Sequence, residues 1–455
     1  MIMAELRLSF LYLPFAIESD AVAHPSALPS GRTDGPVPAQ RRRVVVTGLG
    51  AISPLGATAS ETWHGLLEGR CGVRVLEGEA FSALPVHVAA PSAADPAEQL
   101  SRTQARTMNR GTQFAVVAAR EAWTDAGFAP DAVRDGAIDA RRVGVSVGTI
   151  IGGAPVLVTA DNTLATRGAR HVSPHTAPMV VPNGAAAQVA LDIGARAEAR
   201  TVVSACASGT EAIGQAIDRI RAGAADVVLA GGTEAVITPS VMASFTAMRA
   251  LSSATDVHTA SRPFDKDRDG FVLGEGAGIL VLESEEHALA RGARIYCEAA
   301  GWGVSADAHH MVAPRPDGEG IVDAIRKALT DADTDVDSVA HINAHATATP
   351  HGDAAEILAL TKVFGQGIGR VPVTAPKGAL GHMQGAAGGV EAVATVLTLH
   401  HQLIPPTAGF KAADDDNPLD IVTGTARALP DKDVALSNSY GFGGHNAVLA
   451  FRRAA

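Results

Sequence analysis

Short apolar runs that end in glycine or polar turns alternate with amphipathic stretches along most of the chain. Val44-Val45-Val46-Thr47-Gly48 reads as a buried strand, and so do residues 143–147, 201–203, 226–232 and 278–283. Between them, 63–67 and 113–126 read as helices. Residues 174–194 read as a loop followed by an Ala-rich helix. Ile213, Ile217 and Ile220 recur at helical spacing immediately after 201–203, so that strand turns directly into a helix. The second part of the chain repeats the layout. Residues 339–343, 371–375 and 434–438 are strands, and 386–399 is a helix of small apolar residues. The same order of elements appearing twice predicts a duplicated α/β unit with mixed or parallel sheets.

The beginning of the chain breaks the pattern. Residues 8–17 are apolar, and a Pro-, Ser- and Gly-rich stretch follows to about residue 40. Ala21-Val22-Ala23 offers small residues of the kind found at a signal cleavage site, but Glu5 interrupts the positive region such a signal needs. Residues 1–41 are therefore expected to be a disordered leader or an over-extended start. Residues 42–295 and 296–453 are expected to form two halves. No apolar run is long enough to cross a membrane.

Composition sharpens this picture. Of 455 residues 47% are hydrophobic but only 4% aromatic, while glycine alone numbers 47. That balance predicts helices packed closely against other backbone. A formal net charge of −11 argues against nucleic acid as the main partner. The three cysteines, Cys71, Cys206 and Cys297, have neither disulfide nor metal spacing, which points to a reducing, cytoplasmic setting.

Cys206 lies in Ser204-Ala205-Cys206-Ala207-Ser208-Gly209, where the strand turns into the helix. A helix N-terminus offers unpaired N–H groups and partial positive charge, both of which favour a thiolate nucleophile. The small neighbours leave room for a substrate carbonyl. Four further positions stand at strand ends or in glycine turns of the second half: His345, Lys377, His382 and Phe442. The glycines of 148–153 lack the lysine and spacing of a phosphate loop. The Asp-rich stretch 262–270 lacks the full ligand spacing of a calcium loop and reads as a salt-bridged structural loop.

Together these segments resemble the β-ketoacyl-acyl carrier protein synthases of the thiolase superfamily. The likeness is to the type II elongating branch with a Cys-His-His triad, and in particular to mycobacterial-type long-chain enzymes. It spans about residues 43–452 and rests on the Cys206 segment, the loop 262–278, and the stretches 343–350, 377–382 and 441–446. The resemblance implies an α/β fold of the thiolase type, five-layered αβαβα. Its duplicated halves each carry a mixed sheet, and its central helices are buried. It implies a homodimer that works with an acyl carrier protein, in fatty acid elongation, with malonyl-acyl carrier protein as extender. It calls for no metal and no cofactor of the chain's own, since phosphopantetheine arrives on the carrier.

Carried over residue by residue, Cys206 accepts the acyl chain. His345 and His382 flank it and serve malonyl decarboxylation by donating hydrogen bonds to the thioester oxygen. Lys377 holds His345 and a carboxylate, Glu391. Phe442 and Gly443 belong to an oxyanion and gating loop, with the N–H groups of Cys206 and Phe442 as donors, each worth roughly 2.7–4 kcal/mol in the transition state. Thr347 and Thr349 line the phosphopantetheine tunnel, with turn capping as a second role for both. His310 stands near the mouth, and Ile151 and Phe245 border the acyl pocket. Arg167, Arg170 and Arg249 are candidates for docking an acidic carrier. Ala346 stands where most relatives have glycine, a change that touches the backbone next to His345.

Alternatives sharing the fold differ at identifiable positions. A thiolase needs a second cysteine in the last glycine loop, and Gly441-Phe442-Gly443-Gly444-His445 has none. An initiating synthase has Asn where His382 stands. A non-catalytic chain-length partner lacks the nucleophile. A polyketide ketosynthase subunit with the same triad remains the alternative to fatty acid elongation.

Overall fold

β1 (Val44–Ile52), β2 (Val143–Gly148), β3 (Ala199–Val202), β4 (Val227–Glu234) and β5 (Gly276–Ser284) come from the first part of the chain. β6 (Cys297–Ala306), β7 (Val339–Asn343), β8 (Pro372–Thr374), β9 (Asp420–Ile421), β10 (Val434–Gly441) and β11 (His445–Arg453) come from the second. The computed structural model describes residues 41–454, so the expectation for the leader falls, apart from Arg41, outside the described residues.

Pairings recur in the same order in both parts. From β1 outward, β1–β5 and β5–β4 are antiparallel, and β4–β2 and β2–β3 are parallel. From β6 outward, β6–β11 and β11–β10 are antiparallel, and β10–β7 and β7–β8 are parallel. The two mixed sheets are not separate. A short antiparallel pairing of Val45 with Glu298 and Val46 with Cys297 joins them into one ladder of eleven strands, ordered β9-β8-β7-β10-β11-β6-β1-β5-β4-β2-β3.

Seven helices matter to the site: α1 (Arg110–Asp125), α2 (Ala154–Arg167), α3 (Gly184–Ile193), α4 (Ser208–Arg221), α5 (Glu319–Asp331), α6 (Pro350–Phe364) and α7 (Ala387–His401). α4 and α7 touch each other and strands of both sheets. α1 and α3 cover the far side of one sheet, and α5 and α6 the far side of the other. The result is the expected five layers. Every residue of α7 through Leu399 is buried, and only Glu391, Thr395 and Thr398 among them are polar.

Glycine sets the distance between layers. A Cβ on Gly209 of α4 would lie 2.8 Å from the Gly389 nitrogen and 2.9 Å from the Gly385 oxygen. A Cβ on Gly278 of β5 would lie 2.4 Å from the Val390 nitrogen. The two central helices therefore meet each other and the sheet main chain to main chain. The scarcity of aromatics reflects a core with little room between backbones.

Two features depart from the sequence reading. α2 is a long helix that the apolar pattern did not announce, because none of its residues is fully buried. Its Leu157, Val158 and Leu164 are exposed instead of facing the core. The second is the stretch 201–203, read as a buried strand: it falls at β3, the edge of the sheet, where Ala199 and Arg200 are exposed and the following residue, Val203, is 57% exposed. The Asp-rich loop is structural, as read. The Asp265 carboxylate accepts the N–H groups of Asp267, Lys411 and Ala412, and Arg268 pairs with Asp414 at 2.7 Å.

Candidate active site

Between β3 and α4 the chain reverses sharply through Ala205, which takes a left-handed φ of 50°. Ser208 pins this turn. Its Oγ donates to the Ala205 carbonyl at 2.6 Å and accepts the Ser204 N–H at 2.9 Å. Gly148 on β2 permits it, since a Cβ there would lie 2.3 Å from the Ser208 carbonyl. Cys206 is held at the tip, buried, two residues before α4 begins.

His382 follows the one-turn helix Lys377–Leu380 and is fixed by its own N–H to the Val272 carbonyl, at 2.6 Å. Its Nε2 lies 3.0 Å from the Cys206 Sγ. Its Nδ1 accepts the Gln384 backbone N–H at 3.3 Å, so in the neutral ring the proton sits on Nε2 and points at the sulfur. Burial, helped by the Lys377 charge, holds both His382 and His345 well below the ordinary histidine pKa, so both rings are neutral. The two rings stand nearly perpendicular, with centroids 5.5 Å apart.

His345 lies two residues past β7. Its backbone N–H and that of Ala346 both donate to Glu356 of α6, at 3.0 and 2.8 Å. Asn438 donates to the same carboxylate. Ala346 takes a φ of 23°, in the left-handed region that favours glycine, so this alanine sits on a strained turn beside the histidine. Lys377 is buried and pairs with Glu391 at 2.5 Å, the carboxylate named for it. Burial pushes the Glu391 carboxyl up to about 7, against the pull of the lysine.

One expectation is overturned. The helix N-terminus does not make Cys206 a resting thiolate. Burial pushes its thiol up to about 11 and outweighs the Lys377 charge and the N–H groups of Phe442 and Cys206. Those two N–H groups do converge on the sulfur, which places them where an acyl oxygen on Cys206 would lie. Gly443 is not a third donor, because its N–H is committed to the Met311 carbonyl at 2.7 Å.

A cavity of about 250 Å³ opens over these groups, lined by Cys206, His345, His382, Thr347, Thr349 and Phe442 among others. Thr349 lines the cavity and has the turn-capping role considered for it, since it caps α6 by accepting the Gly352 N–H. Thr347 bonds to Thr349 at 3.0 Å. Arg249 stands at the cavity rim, while Arg167 and Arg170 are exposed at and just beyond the end of α2. His310 is exposed and does not line the cavity. Its Nδ1 instead accepts the N–H groups of Val312 and Ala313, which do. Ile151 and Phe245 also lie outside the lining. They pack in an apolar cluster with Phe271, and the Phe245 ring stands edge-on to Phe271, which walls the cavity.

The Sγ and the ring nitrogens of His345 and His382 lie within 4.8 Å of one another, close enough to share a metal ion. The His382 tautomer opposes that, since a protonated Nε2 offers the site no lone pair. Sequence reasoning missed Glu356, Gln384 and Tyr440. Of these only Glu356 carried a signal, an acid among the apolar positions of a helix.

The first part of the chain, residues 41–288, matches the model for the N-terminal domain of β-ketoacyl synthases, and residues 296–411 match the C-terminal one. A relative named 3-oxoacyl-[acyl-carrier-protein] synthase 2, from Staphylococcus aureus (strain N315), is 43% identical over 415 residues, covering 91% of this chain and 99% of the relative. The solved ishigamide ketosynthase/chain length factor is similar at a TM-score of 0.83 and 36% identity, covering 91% of this chain and 100% of that one. So is a type II PKS ketosynthase, bound to the hexaketide and solved in complex with its acyl-carrier protein, at 0.83 and 34% with the same coverage. On its sequence, its fold and the geometry of its cavity, the chain belongs to the β-ketoacyl synthase family.

Proposed function

We propose that the chain is a 3-oxoacyl-[acyl-carrier-protein] synthase of the elongating type. It joins an acyl group held on Cys206 to a malonyl thioester with loss of carbon dioxide. The observation that carries this is the convergence of one buried thiol, two backbone donors and two neutral imidazoles in one cavity.

In the first half-reaction the Cys206 sulfur attacks the acyl thioester carbonyl. The oxyanion is met by the N–H groups of Cys206 and Phe442, and the thiol proton leaves with the carrier sulfur. The His382 Nε2–H stabilises the sulfur anion as it forms. In the second, the malonyl C–C bond breaks, carbon dioxide departs, and the electron pair passes to an enolate. Hydrogen bonds from His345 and His382 hold the enolate oxygen. The enolate carbon then attacks the acyl-cysteine, the C–S bond breaks, and the sulfur regains a proton. Lys377 and Glu391 hold this arrangement in place.

Three parts of the reading go further. The acyl donor and extender arrive on an acyl carrier protein through its phosphopantetheine arm, so the chain needs no cofactor of its own. Thr347 and Thr349 contact that arm, and Arg249 at the rim meets the acidic carrier. The protein is a homodimer joined along β3 and α2, which leave a free strand edge and exposed Leu157, Val158 and Val203. It acts in the cytoplasm; among the described residues no helix is long and apolar enough to cross a membrane. The polyketide alternative is the second reading, supported by the likeness to a hexaketide-bound ketosynthase.

The test is reconstitution. The purified chain is given a saturated acyl-carrier thioester and malonyl-carrier, and 3-oxoacyl-carrier and carbon dioxide are measured. Equimolar formation of both is expected. Carbon dioxide release without an acyl-Cys206 adduct would leave the proposal without its first half-reaction.

A further inference from the structure

One polar side chain in the cavity has no task in the reaction described. Gln384 lies two residues past His382, is only 3% exposed, and takes a left-handed φ of 52°. Its backbone N–H serves His382, and the residue lines the cavity. The amide Oε1 lies 3.7 Å from the Cys206 Sγ, and the Nε2 is buried without a hydrogen-bond partner. Leaving such a donor unpaired is unfavourable, because it has given up its bonds to water. A leucine would fill similar space without that cost. The Tyr440 hydroxyl, on a residue lining the same cavity, is likewise buried and without a partner. Two donors thus lie buried beside the cavity without a partner, and a plain hydrocarbon chain would offer them none.

Bond geometry says what could satisfy Gln384. The two polar atoms of an amide are about 2.3 Å apart, which puts Nε2 within about 6 Å of the sulfur. In an acyl-cysteine the oxygen on C1 is taken by the Cys206 and Phe442 N–H groups. C3 lies about 4 Å from the sulfur, two carbon–carbon bonds further on. An oxygen on C3 can come within hydrogen-bond distance of Nε2, whereas a saturated C3 offers it nothing. We infer that Gln384 is a specificity-determining residue. It donates a hydrogen bond to an oxygen on C3 of the acyl group carried by Cys206, so that 3-oxo- and 3-hydroxyacyl groups are taken in preference to saturated groups of equal length. The inference rests on the condensation proposed above.

The experiment compares decanoyl-, 3-hydroxydecanoyl- and 3-oxodecanoyl-carrier on the full chain. In direct competition, intact mass is expected to show an excess of the oxygenated adduct on wild-type Cys206; equal or lower amounts overturn the inference. In Gln384→Leu, the ratio of kcat/KM for oxygenated over saturated chains is expected to fall about tenfold, the effect of one lost buried hydrogen bond. A ratio unchanged within about twofold, or a uniform loss on all three thioesters, also overturns it. Gln384→Met repeats the comparison if the leucine variant does not fold. Failure of wild type to condense even decanoyl would strike at the proposed function itself. Normal decanoyl condensation with no preference strikes only at Gln384.

Discussion

The Nε2 of His382 stands 3.0 Å from the Sγ of Cys206, with its proton turned toward the sulfur by the Gln384 N–H on the other side of the ring. The pair is therefore a neutral thiol beside a neutral imidazole, and not a preformed ion pair. His382 becomes a partner in both half-reactions. His382→Ala should slow acylation of Cys206 about 10- to 100-fold, the worth of a hydrogen bond to a charged group. The rate of acyl-adduct formation by intact mass checks this; a variant acylated at the wild-type rate would confine His382 to decarboxylation.

Removing the sulfur separates the two halves of the chemistry. Cys206→Ala should abolish condensation and still release carbon dioxide from malonyl-carrier, since both imidazoles and the Lys377–Glu391 pair remain. Carbon dioxide trapping and product mass, measured together, decide the point. Loss of both would mean that the histidines depend on the sulfur.

Glu356 should matter more than its distance from the reaction implies. It accepts two consecutive backbone N–H groups at His345 and Ala346, and holds a turn that contains a strained alanine. Glu356→Gln puts an NH₂ against one of those donors. Unfolding in urea should show a loss of about 2 kcal/mol. Condensation should slow more than acylation, because the His345 ring loses its placement.

His341 on β7 supplies a test of the acid side of stability. It is buried, both ring nitrogens lack partners, and burial pushes its pKa down to about 3. The unfolded value is about 6.5. Between these values the unfolded chain binds the extra proton, so this group's contribution is complete above about pH 6.5 and is lost as pH falls. From pH 7 to 5, wild type should lose about 2 kcal/mol more stability than His341→Leu. Denaturant melts at the two pH values measure the difference; parallel losses would show that His341 does not set the slope.

Much of this was legible in the chain. Strands such as 227–230 and 434–436 are runs with apolar residues on both faces, as strands covered on both sides require. Cys206, His345, Lys377 and His382 all sit at strand ends or turns, where periodicity stops and chemistry-bearing residues stand out. Three things escaped for physical reasons. α2 buries no face within its own chain, so no apolar stripe marks it. The thiol pKa depends on burial by residues distant in sequence, which helix position alone cannot supply. Gln384 looks like an ordinary turn residue until the fold brings it against the sulfur across 178 positions.

The glycine contacts that bring α4 and α7 together carry a longer consequence. The approach of the elements that carry nucleophile and imidazole is set where main chain meets main chain at Gly209, Gly385 and Gly389, and the side chains of the cavity wall have little part in it. The surrounding wall is thus free to change its tastes while the reaction keeps its ruler. A lineage built this way could wander from one acyl chain to another by single substitutions at positions such as 384, without ever passing through an inert ancestor.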